Sequence, residues 1–138
     1  MPGLSRFVEA QSGGVYERAL AELRAGEKRS HWMWFVFPQI AGLGRSETAR
    51  FYAIANRAEA RDYLDHPQLG LRLREAAAAL LVWQGRRSAE TILGGIDALK
   101  LASSMTLFEA VADEPAPFAA VLDTFYDGKR DPRTLALI

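Results

Sequence analysis

Between Leu69 and about Gln84, the residues Leu69, Leu73, Ala76, Ala77, Leu80 and Leu81 line one helical face, while Arg72, Arg74 and Glu75 lie largely off it. A stripe of that kind must be covered by other elements, and the rest of the chain supplies helices. Leu4, Phe7, Val8 and Gln11 have helical spacing, as do Tyr16, Ala19, Leu20 and Leu23, then Leu101, Ser104, Met105 and Phe108, and finally Phe118, Val121, Leu122 and Phe125. Breakers stand between them: Ser12-Gly13-Gly14, Gly26, Pro38, His66-Pro67, Gly85, Gly94-Gly95 and Gly128. Ser46 is an N-cap for a helix through about Ala55, Asn56 for 57–64, Ser88 for a short helix holding Ile92 and Leu93, and Asp97 for a helix to about Val111. Asp131 followed by Pro132 starts a last turn or two. No strand-like alternation of useful length and no hairpin turn appears. The expectation is an all-α chain, one compact domain over residues 1–138 with about seven or eight short to medium helices.

The length of 138 residues favours one domain with a real core, since roughly two-thirds of the unfolded surface can be buried at this size. The absence of cysteine excludes disulfides, thiol chemistry and Cys-type zinc sites, and fits a reducing compartment. With two His and no clustered carboxylate spacing, neither a metal nor a cofactor is expected. Seventeen basic and seventeen acidic residues balance to zero, without the basic stripe of an extended nucleic-acid surface. No signal peptide and no apolar run long enough to span a membrane is visible, so a soluble cytoplasmic protein is expected.

Function-bearing residue types gather in two stretches. Lys28-Arg29-Ser30-His31-Trp32-Met33-Trp34-Phe35-Val36-Phe37-Pro38-Gln39 leads into Gly42-Leu43-Gly44-Arg45-Ser46, an aromatic wall before a basic, glycine-bearing turn. The length of 31–37 allows two helical turns or a buried strand. A helix is favoured because no partner strand is visible, and it would set Trp32 with Phe35 and Trp34 with Phe37. The backbone N–H groups of Gly42 and Gly44, the Arg45 guanidinium and the Ser46 helix start would hold a phosphate or carboxylate. The alternative is a tight loop with Ser46 as a plain cap. Trp32 or Trp34 would stack a planar ring, the other aromatics forming core. His31 is the acid–base candidate.

In the second stretch, Lys100 reaches Ser103 and Ser104 at i+3 and i+4, with Thr106 beyond. A desolvated lysine can serve a serine nucleophile, or the group can hold a phosphate; the alternative is hydroxyls bonded back to the preceding helical turn. Arg130, in the Lys129–Thr134 run, is a further anion contact or part of a solvated basic patch.

The strings His31–Gln39 with Gly42–Ser46, and Lys100-Leu101-Ala102-Ser103-Ser104-Met105-Thr106-Leu107-Phe108, resemble the signature of the DUF1810 family. So do Arg6–Gln11, Tyr63–Pro67 with Leu69-Gly70, and Gly128–Leu135. The resemblance implies a small, all-helical, mostly bacterial domain and brings no established function. Some members carry the label calpastatin, but this neutral, apolar-cored chain is unlike that disordered inhibitor. Ala102 stands where the family pattern leads one to expect a basic residue. A looser similarity, through Asp97, Lys100 and Met105, is to NADAR-type ADP-ribose glycosidases, which would imply hydrolysis at an anomeric carbon.

The expectation is therefore a small helical enzyme, or a sensor derived from one, for a phosphate-bearing, nucleotide-like ligand. His31 or Lys100 would move protons, and Ser103 and Ser104 would orient the substrate. The alternatives are a non-catalytic protein-interaction module presenting Trp and Arg, its partner unknown, and a Ser–Lys hydrolase. The enzyme requires His31, Arg45, Lys100 and a serine to converge on one concave pocket.

Overall fold

The computed structural model describes residues 3–138. Among them lie ten helices: α1 (Ser5–Gln11), α2 (Val15–Ala25), α3 (Met33–Val36), α4 (Glu47–Phe51), α5 (Arg57–Asp65), α6 (Leu69–Leu81), α7 (Ala89–Leu93), α8 (Gly95–Val111), α9 (Ala116–Phe125) and α10 (Pro132–Leu137). The count exceeds the expected seven or eight because α3, α4 and α7 stand as separate helices of four or five residues.

The longest helix, α8, is the hub, packed by α5, α7, α9 and α10. From Leu101 to Phe108 it is buried nearly all round, which is why its apolar residues do not confine themselves to one stripe. A chain of rings crosses the core: Phe7 meets Tyr63 edge-on at 5.1 Å, Tyr63 meets Phe108 at 5.4 Å, and Phe108 meets Phe118 at 6.0 Å. These four side chains tie α1, α5, α8 and α9 together and are fully buried.

Four of the expected caps are made. The side-chain oxygens of Ser46, Asn56, Ser88 and Asp131 accept from Ala49, Glu59, Thr91 and Thr134 N–H respectively. Asp97 is the exception. The helix begins two residues earlier, at Gly95, because the positive φ of Gly94 alone makes the break. Asp97 is thereby freed for ion pairing. Helix α6 has no capping side chain of its own residue, but His66 Nδ1 accepts the N–H groups of Gln68 and Leu69, both at 3.1 Å.

Helix α4 ends at Phe51, short of Ala55, for a non-local reason. Ile54 N donates to Gln39 O and Ala41 N to Ile54 O, both at 2.8 Å, forming a lone parallel bridge between Ile40 and Ile54. The described residues contain no strand beyond it. Arg6 fastens the same segment from the other side. Its side chain is buried, with Nε donating to Phe51 O and Nη2 to Ala53 O, each at 2.7 Å, and Nη2 also paired with Glu59 at 3.0 Å. Among the described residues no helix is long and apolar enough to cross a membrane, and no group of metal-ligating side chains is found.

One core residue contradicts good packing. Ser104 Oγ is buried in α8 with no hydrogen-bond partner among the described residues. An orphaned hydroxyl costs about 1 kcal/mol or more, and alanine is the better helix former. Ser104→Ala is expected to raise the melting temperature by about 2–4 °C, read by calorimetry; a lowered value would show that the hydroxyl has a partner.

Candidate functional site

The residues before α3 are held by a side chain that sequence reading did not single out. Glu22 on α2 accepts from Arg29 N, Ser30 N, Ser30 Oγ and Trp32 Nε1, at 2.8, 3.0, 2.6 and 2.9 Å. Desolvation alone would raise its pKa. The hydrogen bonds, led by the Ser30 hydroxyl, outweigh that and hold the carboxyl down at about 2, from an ordinary 4.5. The loop is thus locked on a permanent anion at neutral pH, and Trp32 is pulled into the core, 1% exposed.

Only one turn of helix follows. As a result the ring pairing differs from the expected one: Trp32 and Phe37 are buried, while Trp34 and Phe35 are half-buried and reach the surface. Trp32 and Phe37 flank the turn in non-helical conformations, so the spacing of a continuous helix does not apply to them. Trp32 is therefore a core residue, and Trp34 is the indole of this segment that reaches the surface. Gln11 fixes the turn from α1, its Nε2 donating to Phe35 O at 2.8 Å.

Trp34 lines a recess of about 110 Å³ together with Gln39, Gly42, Gly44, Arg50 and Tyr52. The Ile40–Ile54 bridge frames it by joining the two loops that form its walls. Both glycines have local reasons to be glycine. Gly42 sits at φ +104°, and a Cβ on Gly44 would lie 2.5 Å from that of Ala49. Ser46 caps α4, a helix of only five residues. Arg45 and Arg50 are both exposed, and Arg45 does not line the recess. Arg50, one turn into α4, supplies the guanidinium instead, and it has no ion-pair partner among the described residues.

His31 lies elsewhere. It is exposed and lines a second groove, of about 360 Å³, with Arg18, Trp32, Phe35 and Tyr52. Tyr52 is common to both hollows.

Lys100 does come to the aromatic segment. Its Nζ stands 4.6 Å from the centroid of Trp34 and 3.6 Å from Asp97 Oδ1. Asp97 also holds Lys28 at 2.9 Å, and Lys28 lies 5.2 Å from the Trp32 ring. Segments 28–34 and 97–100 are thus joined by two lysines sharing one carboxylate.

The hydroxyls of α8 take no part in that cluster. Ser103 Oγ donates to Asp131 Oδ2 at 2.8 Å, and Thr106 Oγ1 donates to Ala102 O while accepting Asp131 N at 2.9 Å. Together they seat the start of α10 on α8. Desolvation would raise the pKa of Asp131, but the Thr134 and Ser103 hydroxyls bonded to it lower it overall. No bond joins Lys100 to Ser103 or Ser104, so the arrangement is a capping network and not a Ser–Lys pair. Arg130 is neutralised by Glu109 and Asp123. Convergence of His31, Arg45, Lys100 and a serine on one pocket does not occur. What converges is Trp34, Gly42, Gly44 and Arg50.

Arg50 and Tyr52 carried a weak sequence signal: both lie on the short segment after Ser46 that the Gly-x-Gly turn feeds. Glu22 carried none, because its four partners lie seven to ten residues downstream in an irregular loop.

The chain is 51% identical to the conserved hypothetical protein Rv1873 of Mycobacterium tuberculosis, whose crystal structure superposes with a TM-score of 0.94. The match covers 98% of this chain and 95% of that one. No functionally curated protein matches. The model of a protein family of unknown function, DUF1810, matches residues 2–138, and the chain belongs to that family.

Proposed function

We propose that this domain binds a small anionic ligand, a phosphate or carboxylate carried by a nucleotide-like molecule, in the recess between Trp34, Gly42, Gly44 and Arg50. The observation that carries this reading is Arg50: a guanidinium without a carboxylate partner among the described residues, lining the same hollow as two glycines and a half-exposed indole. Several other arginines and lysines of the chain are spoken for by carboxylates. A recess of about 110 Å³ suits a phosphate or carboxylate group, whereas whole-ligand pockets run to roughly 300–1,000 Å³.

The reading is of binding. Of the residues lining the recess only Arg50 and Tyr52 are ionisable, so hydrolysis of an ADP-ribose-type substrate would need a proton-transfer group brought by the ligand or from beyond the recess. Arg50→Ala is expected to weaken AMP binding about tenfold or more, the worth of a charge-assisted hydrogen bond, in isothermal titration calorimetry. Arg45→Ala should stay within about twofold, because Arg45 does not line the recess and acts on its ligand only through solvent. Equal losses in the two variants, or no saturable heat with the wild type, would overturn the assignment. A second reading, a non-catalytic interaction module, is favoured by Ile96 and Leu99, 75% and 72% exposed one turn apart on α8.

A further inference from the structure

The recess is too small for the rest of a nucleotide-like ligand, and the molecule has a hollow beside it of a different character. The groove at His31 has an aromatic floor, with Phe35 and Tyr52 half-buried and their rings 5.4 Å apart. Val15 and the buried Trp32 complete the apolar wall. Its only charged lining residue is Arg18, exposed and without an ion-pair partner among the described residues, and His31 stands at the rim. Among the described residues no carboxylate lines the groove. Of the acids near these residues in the chain, Glu17 pairs with Arg72 at 3.6 Å, and Glu22 has its oxygens engaged by the four loop donors.

This combination is what a planar heteroaromatic ring needs. Aromatic faces and a guanidinium plane stack such a ring, and a neutral imidazole offers one donor and one acceptor to its polar edge. The position adds to the chemistry. Trp34 and Phe35 are consecutive on the one turn of α3, so they face different directions; Trp34 lines the recess and Phe35 the groove. Tyr52 lines both hollows, so they adjoin at its side chain. In a mononucleotide a single ribose separates phosphate from base.

We infer that the groove formed by Arg18, His31, Phe35 and Tyr52 is a nucleobase subsite, so that one mononucleotide lies across Tyr52 with its base in the groove and its phosphate at Arg50. The subsite deepens the reading of the recess and rests on it only for the placement of the phosphate.

The test uses isotope-labelled full chain and three probes: adenosine, inorganic phosphate and AMP. Adenosine shifts the amides of Val15, Arg18 and Phe35 and the ring signals of His31, leaving Gly42 and Gly44 in place. Phosphate does the reverse, AMP moves both sets, and AMP binds more tightly than either fragment. Arg18→Ala, a surface change that leaves the core intact, weakens adenosine about fivefold and leaves phosphate unchanged. If adenosine leaves the groove signals unmoved while phosphate still shifts Gly42 and Gly44, the subsite falls and the recess stands. If adenosine saturates the groove while phosphate moves nothing, the subsite stands and the recess falls. Adenosine shifts that persist unweakened in Arg18→Ala overturn the groove as the place of binding.

Discussion

Replacing Arg6 by methionine lowers the stability of the domain by about 3 kcal/mol or more, the cost of removing one partner from a buried ion pair. The guanidinium is the hub of one corner of the fold. It donates to Phe51 O, Ala53 O and Gly3 O, pairs with Glu59, and lies 4.3 Å from the Phe7 ring. Methionine keeps much of the volume but strands a carboxylate and three carbonyls. Glu59 retains the Ala55 N–H, which does not balance its charge. Adding Glu59→Gln to Arg6→Met should therefore recover part of the loss, a coupling that additive effects would not produce. Urea denaturation checks both variants. A loss below about 1 kcal/mol, the level of an exposed pair, would mean that Arg6 is a solvated surface charge. The segment it holds, 51–55, is also a wall of the recess, so ligand affinity should fall along with stability.

Gly70→Ala has a comparable effect by steric means. Gly70 is the second residue of α6, and the three-residue corner His66-Pro67-Gln68 folds that helix start onto the end of α5. A Cβ there would sit 2.0 Å from the carbonyl oxygen of Leu64 and 2.8 Å from its carbon. Those atoms are backbone, so no rotamer change relieves the clash, and the two helices must separate. Overpacking of this kind costs about 3 kcal/mol, a fall of roughly 6–12 °C in melting temperature for a domain of this size. A change within 2 °C would show that the α5–α6 corner is looser than the structure has it. Gly85→Ala is the control: its φ is +73° but nothing lies within 4 Å of the added carbon, so only the backbone penalty of about 1 kcal/mol applies.

What the sequence made legible was local. The caps at Ser46, Asn56, Ser88 and Asp131 are visible because the capping oxygen and the N–H that donates to it lie three residues apart. The buried stripes of α2, α6 and α9 are visible because each helix presents one face to the core. Illegible were the features made by distant partners. The Ile40–Ile54 bridge involves one residue on each side, too few to leave a periodic trace, yet it ends α4 early and frames the recess. Asp97 looked like a cap because nothing in the neighbouring residues announces Lys28.

The site was half legible for the same reason. Trp34, Gly42 and Gly44 come from one stretch and line one hollow. Arg45 adjoins the glycines in sequence, whereas it is one turn of α4 that brings Arg50, not singled out from the sequence, back to them. Ser103 and Thr106 looked out of place in a core helix, and they were, but the partner that explains them is the cap of α10 and not a ligand. Local conflict signalled a tertiary contact without revealing its kind.

The assignment of the recess is tested most directly by titrating AMP into labelled protein and following the Gly42 and Gly44 amides and the Trp34 indole N–H, in wild type and Arg50→Ala. Saturable shifts of all three in the wild type, lost in the variant while the Trp83 indole stays fixed in both, are the expected result. Shifts that are absent, or that persist undiminished without Arg50, would contradict it.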